Sequence, residues 1–159
     1  GWGAAALTLL FLGGLIGGCS QSTSCSVKIW RHQILLAGIG AQLRRIQSPN
    51  AATPIRWNGR AVNDDTLSSV MAFVFLFMLT LAVVAIALGL MGYDAVTAVS
   101  GAATALANVG PGLGPVIGPA GNFAPLSDGA KWLLAGAMLL GRLELLTFFV
   151  LFTAGFWRA

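Results

Sequence analysis

Two short stretches could do chemistry without any reactive side chain. "LIGGC" at 15–19 and "NVGPG" at 108–112 are glycine-rich breaks. Each closes a thirteen-residue apolar run, 4–16 and 95–107. Backbone released from a helix presents carbonyl oxygens, and a row of carbonyls can replace the hydration shell of a cation. Glycine suits such a row because it reaches φ > 0 and leaves room for an ion. The candidate acceptors are the backbone carbonyls of Ile16, Gly17, Gly18, Cys19, Asn108, Val109, Gly110, Pro111 and Gly112. A short helix ending at such a loop adds its partly negative C-terminus to the path of the cation.

The filter of potassium channels reads Thr-Val-Gly-Tyr-Gly. Residues 108–112 share its valine and both glycines, and residues 15–19 share one glycine in register. Rival chemistries for the glycines fare worse. Gly112, Gly114 and Gly118 follow no strand, Pro111 and Pro115 interrupt them, and Asp128 comes too early for a dinucleotide fingerprint. No Gly-Lys-Ser/Thr marks a phosphate loop. Cys19, Cys25 and the single histidine His32 make neither a four-ligand zinc site nor a disulfide framework. The cysteines read as small buried residues. A membrane enzyme using Cys19, Cys25 or His32 lacks a triad, so no covalent chemistry and no cofactor are expected.

Arg142 and Glu144 are the exceptions among side chains. Arg142 follows Lys131 by eleven positions, about 16 Å of helix, which brings it near mid-membrane. An ionisable residue there faces a bundle interior or a water-filled path. Glu144, two positions on, projects about 200° away and cannot pair with it directly. Arg142 therefore reads as an electrostatic and steric gate below the glycine loops. Ser20, Ser22, Thr23 and Ser24 on the other glycine unit are its candidate partners.

The elements that must hold these groups follow from composition. Of 159 residues, 57% are hydrophobic and 9% charged, against a usual charged share of about 25%. A soluble fold of this size could not hide so much apolar surface, so the chain reads as a membrane protein. Leu67 to Met91 is an uncharged run long enough to span, with Asp64, Asp65 and Thr66 before it as capping candidates. Residues 127–157 form a second long apolar segment. The runs 4–16 and 95–107 are too short to span and read as re-entrant half-helices, since broken backbone at membrane depth must be buried or line a cavity. Residues 47–66, with two prolines and Asn58-Gly59, read as a connecting loop with room for a short hairpin. The order is half-helix, glycine loop, helix, then helix, half-helix, glycine loop, helix: an internal repeat whose first unit lacks its front.

Lys28, Arg31, Arg44, Arg45, Arg56 and Arg60 share one polar segment. Residues 92–130 carry Asp94 and Asp128 and no Lys or Arg. The asymmetry fits the positive-inside rule better than nucleic-acid binding. Residues 28–66 and the C-terminus then read as cytoplasmic, residues 92–130 as external. The N-terminus has no methionine and no basic region and does not resemble a signal peptide.

Three motifs, "GGCSQST…VKIWR", "NVGPGLGPVIGPAGNFAPLSDGAKWLL" and "MLLGRLELLTFFVLFTAGFWR", resemble the closing portion of Trk-type potassium uptake proteins, membrane subunits of the Trk/Ktr/HKT superfamily. The resemblance covers nearly the whole chain. It implies an all-α membrane protein of four helix, pore half-helix, filter loop, helix repeats, potassium-channel-like, with about one and a half repeats present. Residues 1–46 would supply the pore half-helix, filter and second helix of the third repeat. Residues 47–66 would be the cytoplasmic connection. Residues 67–159 would be the fourth repeat: helix 67–91, pore half-helix 95–107, filter 108–112, external loop 113–126 and last helix 127–157. The resemblance makes Gly17 and Gly110 filter glycines and Arg142 the arginine facing an intramembrane gating loop. It departs from the family at Gln21 and at Ser24-Cys25-Ser26, where glycines are common. It implies potassium transport in a bacterial inner membrane, contact with lipid, a homodimer of the full-length chain and a cytosolic nucleotide-binding regulatory subunit. A sodium-permeable or sodium-coupled relative is the alternative, because the first repeat bears on that choice.

Overall fold

The computed structural model describes residues 4–17, 25–48, 55–57 and 60–143. Helix α1 (Ala4–Leu15) and helix α2 (Ile29–Gln47) flank the first glycine unit. A minimal antiparallel hairpin, β1 (Arg56–Trp57) with β2 (Arg60–Ala61), pairs Arg56 with Ala61 and Trp57 with Arg60. Helix α3 (Asp64–Leu90), α4 (Ala95–Ala107), the one-turn α5 (Gly114–Ile117) and α6 (Asp128–Arg142) complete the described chain. The architecture is helical apart from that hairpin. Its Asn58-Gly59 turn lies outside the described residues, as does the last apolar segment from Glu144 on.

α3 starts earlier than its apolar run. Asn63 accepts a hydrogen bond from the Asp64 backbone at 3.0 Å, so Asn63 is the cap. Asp64, Asp65 and Thr66 form the first turn, where the acidic pair favours the helix N-terminus. Gly92, at φ +92°, turns the chain beyond its other end. Twenty-seven residues make about 40 Å, more than the roughly 30 Å hydrocarbon core. The mean hydropathy of its most apolar window is 2.9, yet only 22% of that window is buried. A core helix of a soluble protein would be covered. Phe75, Val83, Ile86 and Leu90 instead lie exposed along it.

α4 is the covered helix. From Thr97 to Ala107 every residue but Val99 is buried, packed against α3, α6, α1 and α5. Its alanines, glycine, serine and threonines are small, which lets neighbouring backbones approach closely. Val84, Leu88, Ala98, Ala102, Ala105, Leu134 and Ala137 form the core between α3, α4 and α6. Tyr93, just after α3, closes the outer end: its hydroxyl accepts from the Ser127 backbone at 2.7 Å and donates to Ser127 Oγ at 3.2 Å. Ser127 in turn caps α6 through the Ala130 N–H. Ser127→Ala is expected to cost about 1 kcal/mol, measured as a lower thermal midpoint of the purified full-length protein.

Arg31, one of the basic residues of segment 28–66, packs on the side of α3 with its guanidinium over the ring of Phe73. Phe73 is nine residues into α3, roughly 14 Å along it.

Candidate ion pathway

α4 ends because Asn108 turns left-handed, at φ 53° and ψ 40°. The Asn108 and Val109 N–H groups still bond back to Ala105 and Thr104 carbonyls at 3.1 and 3.0 Å. Asn108 Nδ2 donates to the Met138 carbonyl at 2.9 Å, which ties the end of α4 to α6. The chain then doubles back: the Leu113 N–H donates to Ser100 Oγ at 2.9 Å. From Asn108 back to the level of Ser100 is about 12 Å of helix. Five residue steps reach about 17 Å when fully extended, so residues 108–113 return along α4 with about 5 Å to spare. Among the described residues, no backbone N–H donates to the carbonyls of Val109, Gly110 or Pro111.

The two glycines here differ in purpose. Gly110 sits at φ +113°, a conformation that strains any other residue. Gly112 needs space instead. A Cβ there would lie 2.8 Å from Ile117 Cγ1, and its N–H donates to the Ile117 carbonyl at 2.7 Å. The expectation that backbone freedom explains both glycines thus holds for Gly110 alone.

The first glycine unit is braced from below. Ile16 and Val27 form a parallel bridge, and the Gly17 N–H donates to the Val27 carbonyl at 3.0 Å. The Ser26 hydroxyl donates to the Leu15 carbonyl. A Cβ on Gly17 would come within 2.9 Å of the Val27 carbonyl oxygen, so only glycine fits this close approach. Gly14 packs against Val109, where a Cβ would meet its methyl groups at 3.2 Å. That contact brings the two glycine units side by side. Between them lies a cavity of about 250 Å³ lined by Phe11, Leu15, Thr104, Val109 and Pro111. Gly18, Cys19, Ser20, Ser22, Thr23 and Ser24 lie outside the described residues.

Arg142 ends α6. Its Nη1 donates to Cys25 Sγ at 3.7 Å. Sequence reasoning named the serines and threonine before Cys25 as partners and treated Cys25 as a small buried residue. The thiol is in fact half-buried and meets the arginine. One residue earlier, Gly141 lies directly against the Leu106 carbonyl. No three His, Cys, Asp or Glu side chains cluster among the described residues. At the outer end of α4, the Asp94 carboxylate accepts from the Thr97 N–H at 3.2 Å. Hydrogen bonding from Thr97 holds the Asp94 carboxyl below the usual carboxylate range. That contribution to α4 is present above the unfolded pKa and lost as pH falls through the folded one.

This geometry has known counterparts. The sequence family described as TrkH, cation transport protein, matches residues 1–158. The chain belongs to the TrkH family. Among curated TrkH-family relatives, the Trk system potassium uptake protein TrkI of Halomonas elongata is 52% identical over 99% of this chain and 32% of its own length. TrkH of Salmonella typhimurium is 39% identical over 94% of this chain and 30% of its own. The crystal structure of the potassium transporter TrkH from Vibrio parahaemolyticus superposes with a TM-score of 0.88 at 34% identity, covering 98% of this chain and 33% of that one. The chain thus spans about a third of the TrkH-family relatives it matches. The family makes it a membrane protein with a helical transporter fold.

Proposed function

We propose that this segment forms part of a potassium pore. Ions are selected by backbone carbonyls at Ile16, Gly17, Gly18 and Cys19 and at Asn108, Val109, Gly110, Pro111 and Gly112, and are gated by Arg142 with the segment around Ser22, Thr23 and Ser24. The observation that carries the reading is the glycine-containing loop that returns beside a buried half-helix. Its Val109, Gly110 and Pro111 carbonyls take no backbone hydrogen bond among the described residues, as a filter for a dehydrated cation requires. Two further units of the same kind would complete the pore. The full-length protein would lie in a bacterial inner membrane as a homodimer, with a nucleotide-binding regulatory subunit on its cytoplasmic side.

The test is Gly110→Ser in the full-length protein. Serine at φ +113° strains the loop by about 1–3 kcal/mol, so preference for rubidium over sodium in competition uptake should fall roughly tenfold or more. Unchanged rubidium uptake with unchanged sodium competition would sink the filter assignment.

A further inference from the structure

Arg31 is the one charged side chain found buried among the described residues, at 8% exposure. Its guanidinium carbon sits 3.8 Å from the centroid of the Phe73 ring and 5.2 Å from that of Trp30. Both lie within the range where an aromatic face attracts a cation, and the attraction strengthens when water is excluded. A guanidinium is planar and weakly hydrated, so it stacks on a ring more readily than an ammonium does. Phe73 in turn stacks on Phe77, and both share a core with Val27 and Leu106. Leu106 lies at the end of α4. Val27 pairs with Ile16 and receives the Gly17 N–H.

We propose that Arg31, seated on Phe73, is a positioning residue for the backbone at Leu15, Ile16 and Gly17, where the first glycine loop begins. Residues 25–28 run between that loop and α2. On one side they hold Leu15, Ile16 and Gly17 through Ser26 and Val27, and Cys25 meets Arg142. On the other side they enter α2, where the Arg31 N–H bonds the Lys28 carbonyl at 2.9 Å. The Arg31–Phe73 stack fixes this entry to the spanning helix α3. Without the stack, the entry to α2 is released from Phe73, and Val27, packed in the same core, holds the Gly17 backbone less firmly. A buried guanidinium must be compensated for its lost hydration; here the Phe73 ring face receives the charge.

The proposal rests on the pore reading, and the experiment separates the two. In the full-length protein reconstituted in liposomes, Phe73→Leu keeps apolar bulk but removes the ring, and Arg31→Gln removes the charge. Each should raise the potassium concentration for half-maximal uptake roughly tenfold, with a smaller change in maximal rate per copy. Each should also speed alkylation of Cys25 by N-ethylmaleimide, read by mass spectrometry. Phe73→Trp, which keeps an aromatic face, should restore wild-type values on both counts. Phe73→Leu with half-saturation and Cys25 alkylation both unchanged overturns the proposal, as does Phe73→Trp behaving like Phe73→Leu. A wild-type protein that carries no potassium overturns the pore reading instead, and the alkylation rates then still decide the role of Arg31.

Discussion

Gly141→Ala in the full-length protein is expected to lower thermal stability by roughly 2–4 kcal/mol and to abolish most rubidium uptake per copy. A Cβ at this position would overlap the Leu106 carbonyl oxygen and lie 2.9 Å from its carbon. These are backbone atoms at the buried end of α4, with no flexible tip to swing aside. α6 must therefore back away by roughly 1 Å or more to restore ordinary contact. The Asn108 bond to the Met138 carbonyl, 2.9 Å long, then exceeds hydrogen-bonding range. That bond fixes the residue at which α4 stops and the returning loop begins. Overpacking accounts for about 1–3 kcal/mol and the lost bond for about 1. Gly136→Ala is the control, because nothing lies within 4 Å of a Cβ there. It should be neutral or slightly stabilising, since alanine favours a helix over glycine by about 1 kcal/mol. Equal melting temperatures and uptake for Gly141→Ala and wild type would refute the argument.

Gly141 also shows where reading the sequence runs out. The helical membrane architecture and the family were legible, because apolar run lengths and glycine breaks are properties of contiguous residues. The apolar residues 95–107 form a helix of that same extent, between the cap Asp94 and the left-handed Asn108. Contacts between distant elements left no such mark. In "LLGRLE" Gly141 looks like any helix glycine, and only the approach of α4 gives it a purpose. Arg31 illustrates a different limit. Counting charges per segment treats it as one more basic residue, and a count does not register the Phe73 ring that covers it. Cys25 reads from sequence as a small buried residue, because two cysteines and one histidine make no ligand pattern. Its contact with Arg142 joins residues 117 positions apart.

Arg142→Ala should raise potassium flux through the full-length protein and weaken its gating. α6 begins at Asp128, so Arg142 lies about 21 Å along it. It follows directly on Gly141, the point where α6 touches the end of α4. On the proposed reading, an ion leaving the 108–112 loop must pass this charge. At about 6 Å, two unit charges repel by about 0.7 kcal/mol in water and about 2.8 kcal/mol at an effective dielectric of about 20. Removing that repulsion should speed passage roughly threefold to a hundredfold, depending on how wet the path is. Arg142→Lys keeps the charge and should keep most of the barrier. Cys25→Ala keeps the arginine but removes its contact at 3.7 Å, so the barrier should persist while its position loosens. Rubidium flux and single-channel recordings in planar bilayers separate these cases. If Arg142→Ala conducts and gates as wild type does, the arginine is only a structural charge, and the gate must be sought elsewhere along the path.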